Sequence, residues 1–417
     1  MTHRVAVVGV GQTKFGENWE ESLRDLGRNA GMAAIKNAGI EKKDLQGLWV
    51  GNMSGGRFAG QEHIGALIAD HLGITAPAAR CEAACASGSL AFRNACFAVA
   101  SGKIDIALAV GVEKMSDVKA DDTTGILISA GDHEWEASIG LTFPGLYALM
   151  ARAYMKNYGL SRDELSFVPV TSHENGLKNE NAQFRMKVSI DDVNRSSLVA
   201  DPLRLLDCSP ITDGAAAAVI VSEKIAKKFE NPVWVLGSGQ GSDTLALHDR
   251  ASITDMASVK AAAKQAFDEC RLKHDDIDVI EAHDCFSINE IMNVEDSGFC
   301  KKGEGQKFIE KNKERINSTG GLKSIGHPVG ATGVRQIIDV VRQLRGESCN
   351  QIKGARHGFT MNVGGSGATD DGTVSANATA FFGDAFFAGL MISMINALMS
   401  LRFEKSTPNV FDKSPTI

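Results

Sequence analysis

Four short stretches of this 417-residue chain gather side chains that could do chemistry. In Glu82-Ala-Ala-Cys-Ala-Ser-Gly88 a cysteine stands among small residues, just ahead of an apolar-periodic helix (Leu90, Ala91, Ala95, Val99). Unpaired N–H groups and the dipole at a helix N-terminus stabilise a thiolate and lower its pKa, and small neighbours leave room for a reactant. By itself, a cysteine among alanines is more often a small buried residue. In Gly320-Gly-Leu-Lys-Ser-Ile-Gly-His-Pro-Val-Gly-Ala-Thr-Gly333 a histidine sits inside a glycine-rich turn that opens a helix. Glycine permits positive φ and close approach of a ligand, and the histidine could take a thiol proton and then orient a carbonyl oxygen. A phosphate-binding loop with an incidental histidine is the competing reading, although no Gly-Lys-Ser/Thr closes it. Glu281-Ala-His-Asp-Cys-Phe286 presents an imidazole, a carboxylate and a thiol at the end of a buried strand, where α/β sheets bind ligands. A structural role suits Asp284 better than a chemical one. Met361-Asn-Val-Gly-Gly-Ser-Gly-Ala-Thr369 could aim backbone N–H groups at an oxyanion, or be an ordinary glycine turn.

These stretches need a scaffold, and the apolar patterning supplies one. Arg4–Gly11 and Val233–Gly239 are both apolar runs that end in glycines and read as buried strands. Helical spacing covers 20–38, closed by Gly39, and predicts further helices over 61–72, 86–101, 143–158, 256–270 and 332–345. Leu48–Val50, Ile104–Val112 and Asp278–Glu281 read as strands. The second half repeats the strand–helix order of the first, which suggests a duplicated α/β architecture. Residues 117 to about 200 are more polar and read as an insertion.

Composition bounds the function. Hydrophobic residues make up 43%, enough for a large core without staples. The formal charge is −7 and no long basic run occurs, so nucleic acid is not an expected partner. The eight cysteines form no CxxC pair, and no Cys/His pair follows Cys81 and Cys85 at zinc-finger spacing, so no metal is expected. Met1–Gly11 reads as a strand rather than a signal peptide, and the protein is expected in the cytoplasm with reduced thiols.

Taken together the motifs resemble those of the thiolase superfamily, over residues 1 to about 369. Cys85 matches its nucleophile motif, Gly326-His-Pro-Val-Gly-Ala-Thr-Gly333 its GHP loop, and Asp213-Gly-Ala-Ala-Ala217 its DGAAA segment. His283-Asp-Cys-Phe286 resembles the branch of sterol-carrier-protein-type thiolases and archaeal acetoacetyl-CoA thiolases. Other thiolases carry Asn-Glu-Ala-Phe there and begin the last glycine loop with a catalytic cysteine, where this chain has Asn362. In the His-Asp-Cys-Phe branch the second cysteine comes from that motif, here Cys285.

The resemblance implies an α/β thiolase fold, with two duplicated βαβαβαββ halves in a five-layered αβαβα sandwich plus a loop domain. The implied division is 1–116 with 200–250 as the first half, 117–199 as the inserted CoA-side domain, 251–369 as the second half, and 370–417 as an atypical hydrophobic tail. It implies a ping-pong Claisen condensation of acetyl-CoA to acetoacetyl-CoA, or its reverse, with acyl-CoA thioesters as substrates and no cofactor. Cys85 would be acylated, His327 would activate it, and Cys285 would take the α-proton. His283 and His327 would form one oxyanion hole, and the N–H groups of Cys85 and Gly364 the other. It also implies a homodimer or tetramer, and assembly with the HMG-CoA synthase that follows in the mevalonate pathway through a small zinc-containing OB-fold protein. A related condensing enzyme, of the HMG-CoA synthase or ketoacyl synthase type, and a thiolase-fold scaffold or lipid-binding subunit are the alternatives. Residues 378–401 hold one charge, Asp384, and read as a packing helix, a membrane-associating segment or a frame-altered end that replaces the family's last strand.

Overall fold

The computed structural model describes residues 3–378. Besides a small two-stranded hairpin (Leu198–Ala200 with Leu203–Arg204), its strands are β1 (Val5–Gln12), β2 (Leu48–Gly51), β3 (Ala78–Cys81), β4 (Ile106–Glu113), β5 (Gly214–Ser222), β6 (Val233–Ser242), β7 (Val279–Ala282), β8 (His357–Gly364) and β9 (Thr369–Ala376). They form one mixed sheet in the order β3-β2-β4-β5-β1-β6-β9-β8-β7. The order is two copies of one pattern, β3-β2-β4-β5-β1 and β7-β8-β9-β6, joined where β1 meets β6 antiparallel at Val5↔Val235, Ala6↔Trp234 and Val7↔Val233. The place of β3 in the second copy is held by a single parallel bridge, Ile280↔Ile316.

The main helices are α1 (Leu23–Ala38), α2 (Ile64–Leu72), α3 (Ser87–Ala100), α4 (Phe143–Tyr158), α5 (Arg162–Gly176), α6 (Ala257–Cys270), α7 (Ser287–Asp296) and α8 (Thr332–Arg345). Their ends follow local chemistry. Ser22 and Asp25 make a capping box at the start of α1, and Gly39 closes it at φ +67°. Helix α1 packs on β1 and β5, and α6 on β6 and β9, while α3 and α8 pack on each other between the two halves. This is the expected αβαβα layering. The central core joins Phe92, Ala95, Cys96 and Val99 of α3 to Val334, Ile337, Ile338 and Val341 of α8 and to the alanines of β4 and β5. Alanine-rich strands are what allow two buried helices to sit this close to the sheet.

Three expected boundaries move. The halves divide between Ser222 and Val233, not at 250, because β6 is the counterpart of β1 and already belongs to the second copy. The insertion is not a separate body: Leu146, Tyr147, Met150 and Ala151 of α4 and Leu165 and Val168 of α5 share one buried cluster with Val259, Ala262, Ile291 and Phe359 of the second half. The tail does not begin at 370, since β9 runs to Ala376 between β6 and β8. The last core strand is therefore present, and the rest of the 378–401 run lies outside the described residues. Among those described, no helix is long and apolar enough to cross a membrane.

The two central helices approach through glycine. A Cβ built on Gly88, in the first turn of α3, would lie 2.6 Å from the carbonyl oxygen of Gly330 in the loop before α8. In an unconstrained helix Gly→Ala gains up to about 1 kcal/mol from propensity. Here the added methyl meets backbone, so Gly88→Ala is expected to destabilise by about 1–3 kcal/mol. Chemical denaturation measures it, and a stabilised variant would refute this contact.

Candidate active site

Cys85 lies in the turn between β3 and α3. The turn is held by its own polar groups: Ala83 N–H donates to Ser87 Oγ (2.9 Å), Ser87 Oγ donates to Ala84 C=O (2.6 Å), and Ala84 N–H donates to Glu82 Oε1 (2.6 Å). Ala84 takes φ +50°, the left-handed region that residues with a Cβ rarely enter. That geometry presents Cys85 to a cavity at the helix N-terminus. The thiol pKa is nevertheless pushed up to about 12. Burial is the largest cause and Glu113 adds to it, against the N–H groups of Gly365 and of Cys85 itself, which favour the thiolate. The sequence expectation of a lowered pKa is thus reversed, because desolvation outweighs the helix terminus.

His327 sits in the loop that leads into α8, its backbone N–H on Thr212 Oγ1 (3.0 Å). His283 ends the stretch that leaves β7. One ring nitrogen of each and the Cys85 sulfur all lie within 4.8 Å of one another, and the rings meet edge-on at 5.0 Å. Their separations would also admit one metal ion.

The partners of the two Nδ1 atoms fix the tautomers. Thr332 Oγ1 donates to Pro328 C=O (3.2 Å), so it accepts the Nδ1 proton of His327 at 2.7 Å. Nε2 of His327 then carries a lone pair. At His283 the donor is Asn362 Nδ2, 2.9 Å from Nδ1. The amide is held by Ser89 Oγ, whose single proton is shared between Asn362 Oδ1 (2.9 Å) and Ala86 C=O (2.9 Å). Nε2 of His283 then carries the proton. Both Nε2 atoms are buried and have no partner among the described residues. One histidine offers the cavity a base and the other a donor. Both stay neutral: burial, Arg335 and Lys323 lower the His327 pKa to about 3, and burial, His327, Arg335 and Lys323 hold His283 well below its usual value.

Cys285 completes the cavity wall. It is buried, with Asn289 Nδ2 on its sulfur at 3.6 Å. Burial and then Cys85 push its pKa far up, against Lys323 and Tyr147. Asp284 points away into structure, where it accepts the N–H of Leu322 (2.7 Å) and of Lys323 (3.4 Å) and so anchors the start of the histidine loop. The structural reading of this residue stands.

Gly364 does not occupy the expected place. Its N–H is donated to Asp370 Oδ1 (3.0 Å), and the N–H that reaches the Cys85 sulfur belongs to Gly365. The reason is the strand: β8 runs through Gly364, so the turn that faces the cavity begins one residue later. Position within a glycine run could not separate the two. Cys85, His327 and Cys285 line one cavity of about 140 Å³ with Phe143, Tyr147 and Phe286. Tyr147, unmarked in the sequence, stacks on Phe286 at 4.6 Å and donates to Gly365 C=O (2.9 Å), steadying the turn. Its only sequence signal was a place on the buried face of a predicted helix. Cys208 lines the same cavity and carried no signal at all.

Comparison with known proteins agrees with this geometry. The family described as "Thiolase, N-terminal domain" matches residues 5–224, and "Thiolase C-terminal domain-like" matches 239–377. Acetyl-CoA acetyltransferase of Methanothermobacter thermautotrophicus is 53% identical over 374 residues, covering 88% of this chain and 97% of the relative. The protein of that name in Methanocaldococcus jannaschii is 48% identical over 383 residues, again 88% and 97%. Among solved structures, the Ltp2-ChsH2(DUF35) aldolase superposes with TM-score 0.78 at 25% identity, over 90% of this chain and 98% of that one. The chain belongs to the thiolase family of acyltransferases.

Proposed function

We propose that the protein joins two acetyl-CoA molecules into acetoacetyl-CoA and runs the reverse thiolysis, by a ping-pong route through an acetyl-Cys85 intermediate. The observation that carries this reading is a neutral cluster in which Cys85, Cys285 and His327 line one small cavity and His283, of the opposite tautomer, lies against Cys85 and His327. His327 Nε2 takes the Cys85 proton as the sulfur attacks the thioester carbon. The tetrahedral oxygen is held by the N–H groups of Cys85 and Gly365, and each such donor is worth about 3–4 kcal/mol in the transition state. The CoA thiolate leaves with the Cys285 proton. What remains is a Cys285 thiolate beside a His327 imidazolium.

The second acetyl-CoA then meets an unusually strong base. A thiolate of raised pKa suits a weakly acidic α-carbon, since base strength follows pKa. As Cys285 takes the α-proton, negative charge moves onto the thioester oxygen. That oxygen is held by the Nε2–H of His283 and by the Nε2–H that His327 has just gained. The enolate carbon attacks acetyl-Cys85, and the expelled sulfur recovers its proton from His327. Each group ends protonated as it began, since His327 returns the Cys85 proton and the α-proton replaces the one that Cys285 gave to CoA, and the chemistry uses no metal or redox cofactor.

The reading carries setting with it. Acetoacetyl-CoA is the substrate of HMG-CoA synthase, which places the reaction at the head of the mevalonate route of isoprenoid biosynthesis in the cytoplasm. Dimers or tetramers, docked to that synthase through a small zinc-containing OB-fold protein, are the proposed assembly. The similarity to the Ltp2-ChsH2(DUF35) aldolase supports a reading in which this chain works with a partner.

Three measurements test the chemistry. Cys85→Ala is expected to form no acetyl adduct with acetyl-CoA by mass spectrometry. Cys285→Ala is expected to be acetylated yet to lose condensation and acetoacetyl-CoA thiolysis by several orders of magnitude. An adduct on another residue of Cys85→Ala would overturn the assignment. Because the Cys85 thiol is pushed up to about 12, its thiolate fraction keeps rising with pH in the free enzyme. Iodoacetamide labelling of Cys85 should therefore still accelerate between pH 8 and 10, and a plateau near the free-thiol pKa of about 8.5 would count against a desolvated nucleophile. Finally, Phe143, Tyr147 and Phe286 leave about 140 Å³, room for a two-carbon acyl group. Thiolysis kcat/KM should fall at least tenfold from acetoacetyl-CoA to 3-ketohexanoyl-CoA, and equal rates would refute a short-chain pocket.

A further inference from the structure

Asn362 stands where many thiolases place a catalytic cysteine, and the mechanism above gives its side chain no part in the chemistry. Its side chain is buried between α3 and β7 and has two contacts. Oδ1 accepts from Ser89 Oγ at 2.9 Å, and Nδ2 lies 2.9 Å from His283 Nδ1. Ser89 is one turn into the nucleophile helix, and its hydroxyl also lies 2.9 Å from Ala86 C=O. A chain of contacts thus runs from the backbone next to Cys85, through Ser89 and Asn362, to the back of the His283 ring.

The two histidines differ in what stands behind them. Thr332, behind His327, is a hydroxyl, which can both give and accept a proton in a hydrogen bond. Behind His283 is an amide nitrogen, which donates only. His327 must change state during the cycle, from lone pair to N–H, whereas His283 must remain a donor throughout. We propose that Asn362 is a positioning residue that locks His283 in its Nε2–H tautomer, so that the ring always points a proton at the enolate oxygen. This rests on the acyl-transfer reading given above and adds to it a residue that touches no reacting atom.

The lock has an electrostatic logic. An imidazole with its lone pair turned to a developing oxyanion would repel it. Tautomers of free imidazole differ little in energy, so the ring alone does not choose. A neutral donor chooses without adding charge to a ring that already feels Arg335 and Lys323 and that faces His327 and the Cys85 sulfur. A carboxylate at 362 would accept from Nδ1 instead. It would leave Nε2 bare when the ring is neutral, and restore the donor only when the ring is an imidazolium.

The test reads the tautomer directly and then the chemistry. Nitrogen-15 NMR of the labelled wild-type protein should show His283 with Nδ1 unprotonated and Nε2 protonated across neutral pH. Asn362→Leu, similar in size but unable to donate, should still acetylate Cys85 while condensation falls by up to about 10²–10³-fold, the range for losing one oxyanion donor. Asn362→Asp should gain a new descending limb, with condensation retained at low pH and lost as His283 deprotonates. Detection of the Nδ1–H tautomer in the wild type, or wild-type condensation by Asn362→Leu, would overturn the proposal. The NMR result stands even where a variant misfolds. A wild-type protein that forms no acetyl-Cys85 would instead sink the acyl-transfer reading and leave the tautomer measurement intact.

Discussion

The contact on which the site depends is the meeting of α3 and α8, backbone to backbone, where Gly88 faces Gly330. These helices are counterparts in the two halves of the duplicated fold. Cys85 stands just before the N-terminus of one, and His327 just before the N-terminus of the other. The proposed base and nucleophile, far apart in sequence, are therefore neighbours by symmetry. Gly111 presses on the same Gly330 oxygen from β4, which sets the histidine loop against the sheet as well as against the nucleophile helix. Glu113, at the end of that strand, accepts the N–H of Gly330 (3.1 Å), Met53 (2.9 Å) and Ser54 (3.1 Å). Loops from both halves thus share one carboxylate.

The second constraint is that the site is built to hold no charge at rest. Arg335 is fully buried beneath it, paired with Glu281 (2.8 Å) and Asp339 (2.9 Å). Together with Lys323 it makes a second positive charge on either histidine costly, and burial makes a thiolate on either cysteine costly. Leaving one buried member of such a network unpaired costs several kcal/mol, so the network is also what fixes the strand and helix that carry it.

How much of this the sequence disclosed depended on whether the information was local. The helix end at Gly39 was readable because a positive-φ glycine after a periodic run is a local signal. The reactive residues were readable because each sits in a turn of unusual composition. What could not be read were features set by neighbours far along the chain. The strand β3 (Ala78-Ala-Arg-Cys81) is four residues long, largely unburied, and pairs with β2 alone at the sheet edge. The pKa of Cys85 was read from its helix terminus, while burial by residues from the other half decided it. Gly364 and Gly365 are the same residue type, and only the end of β8 tells which N–H turns to the sulfur.

The His-Asp-Cys-Phe arrangement then has a physical reading as an exchange of positions. At position 362, where other thiolases carry their second cysteine, this chain has a buried amide that lies against His283. Placing the second thiol at Cys285, on the strand end, frees position 362 for a group that serves the histidine. The turn after β7 also supplies His283 itself, so in the proposed cycle one turn delivers both the base that makes the enolate and the donor that holds it. Since both lie in the short turn between β7 and α7, with only Asp284 between them, their separation is set by one stretch of backbone rather than by the packing of two loops. The part of the cycle that demands the most exact geometry is thus built on a single rigid element, and the looser task of bringing Cys85 to that element falls to the glycine contact between the halves.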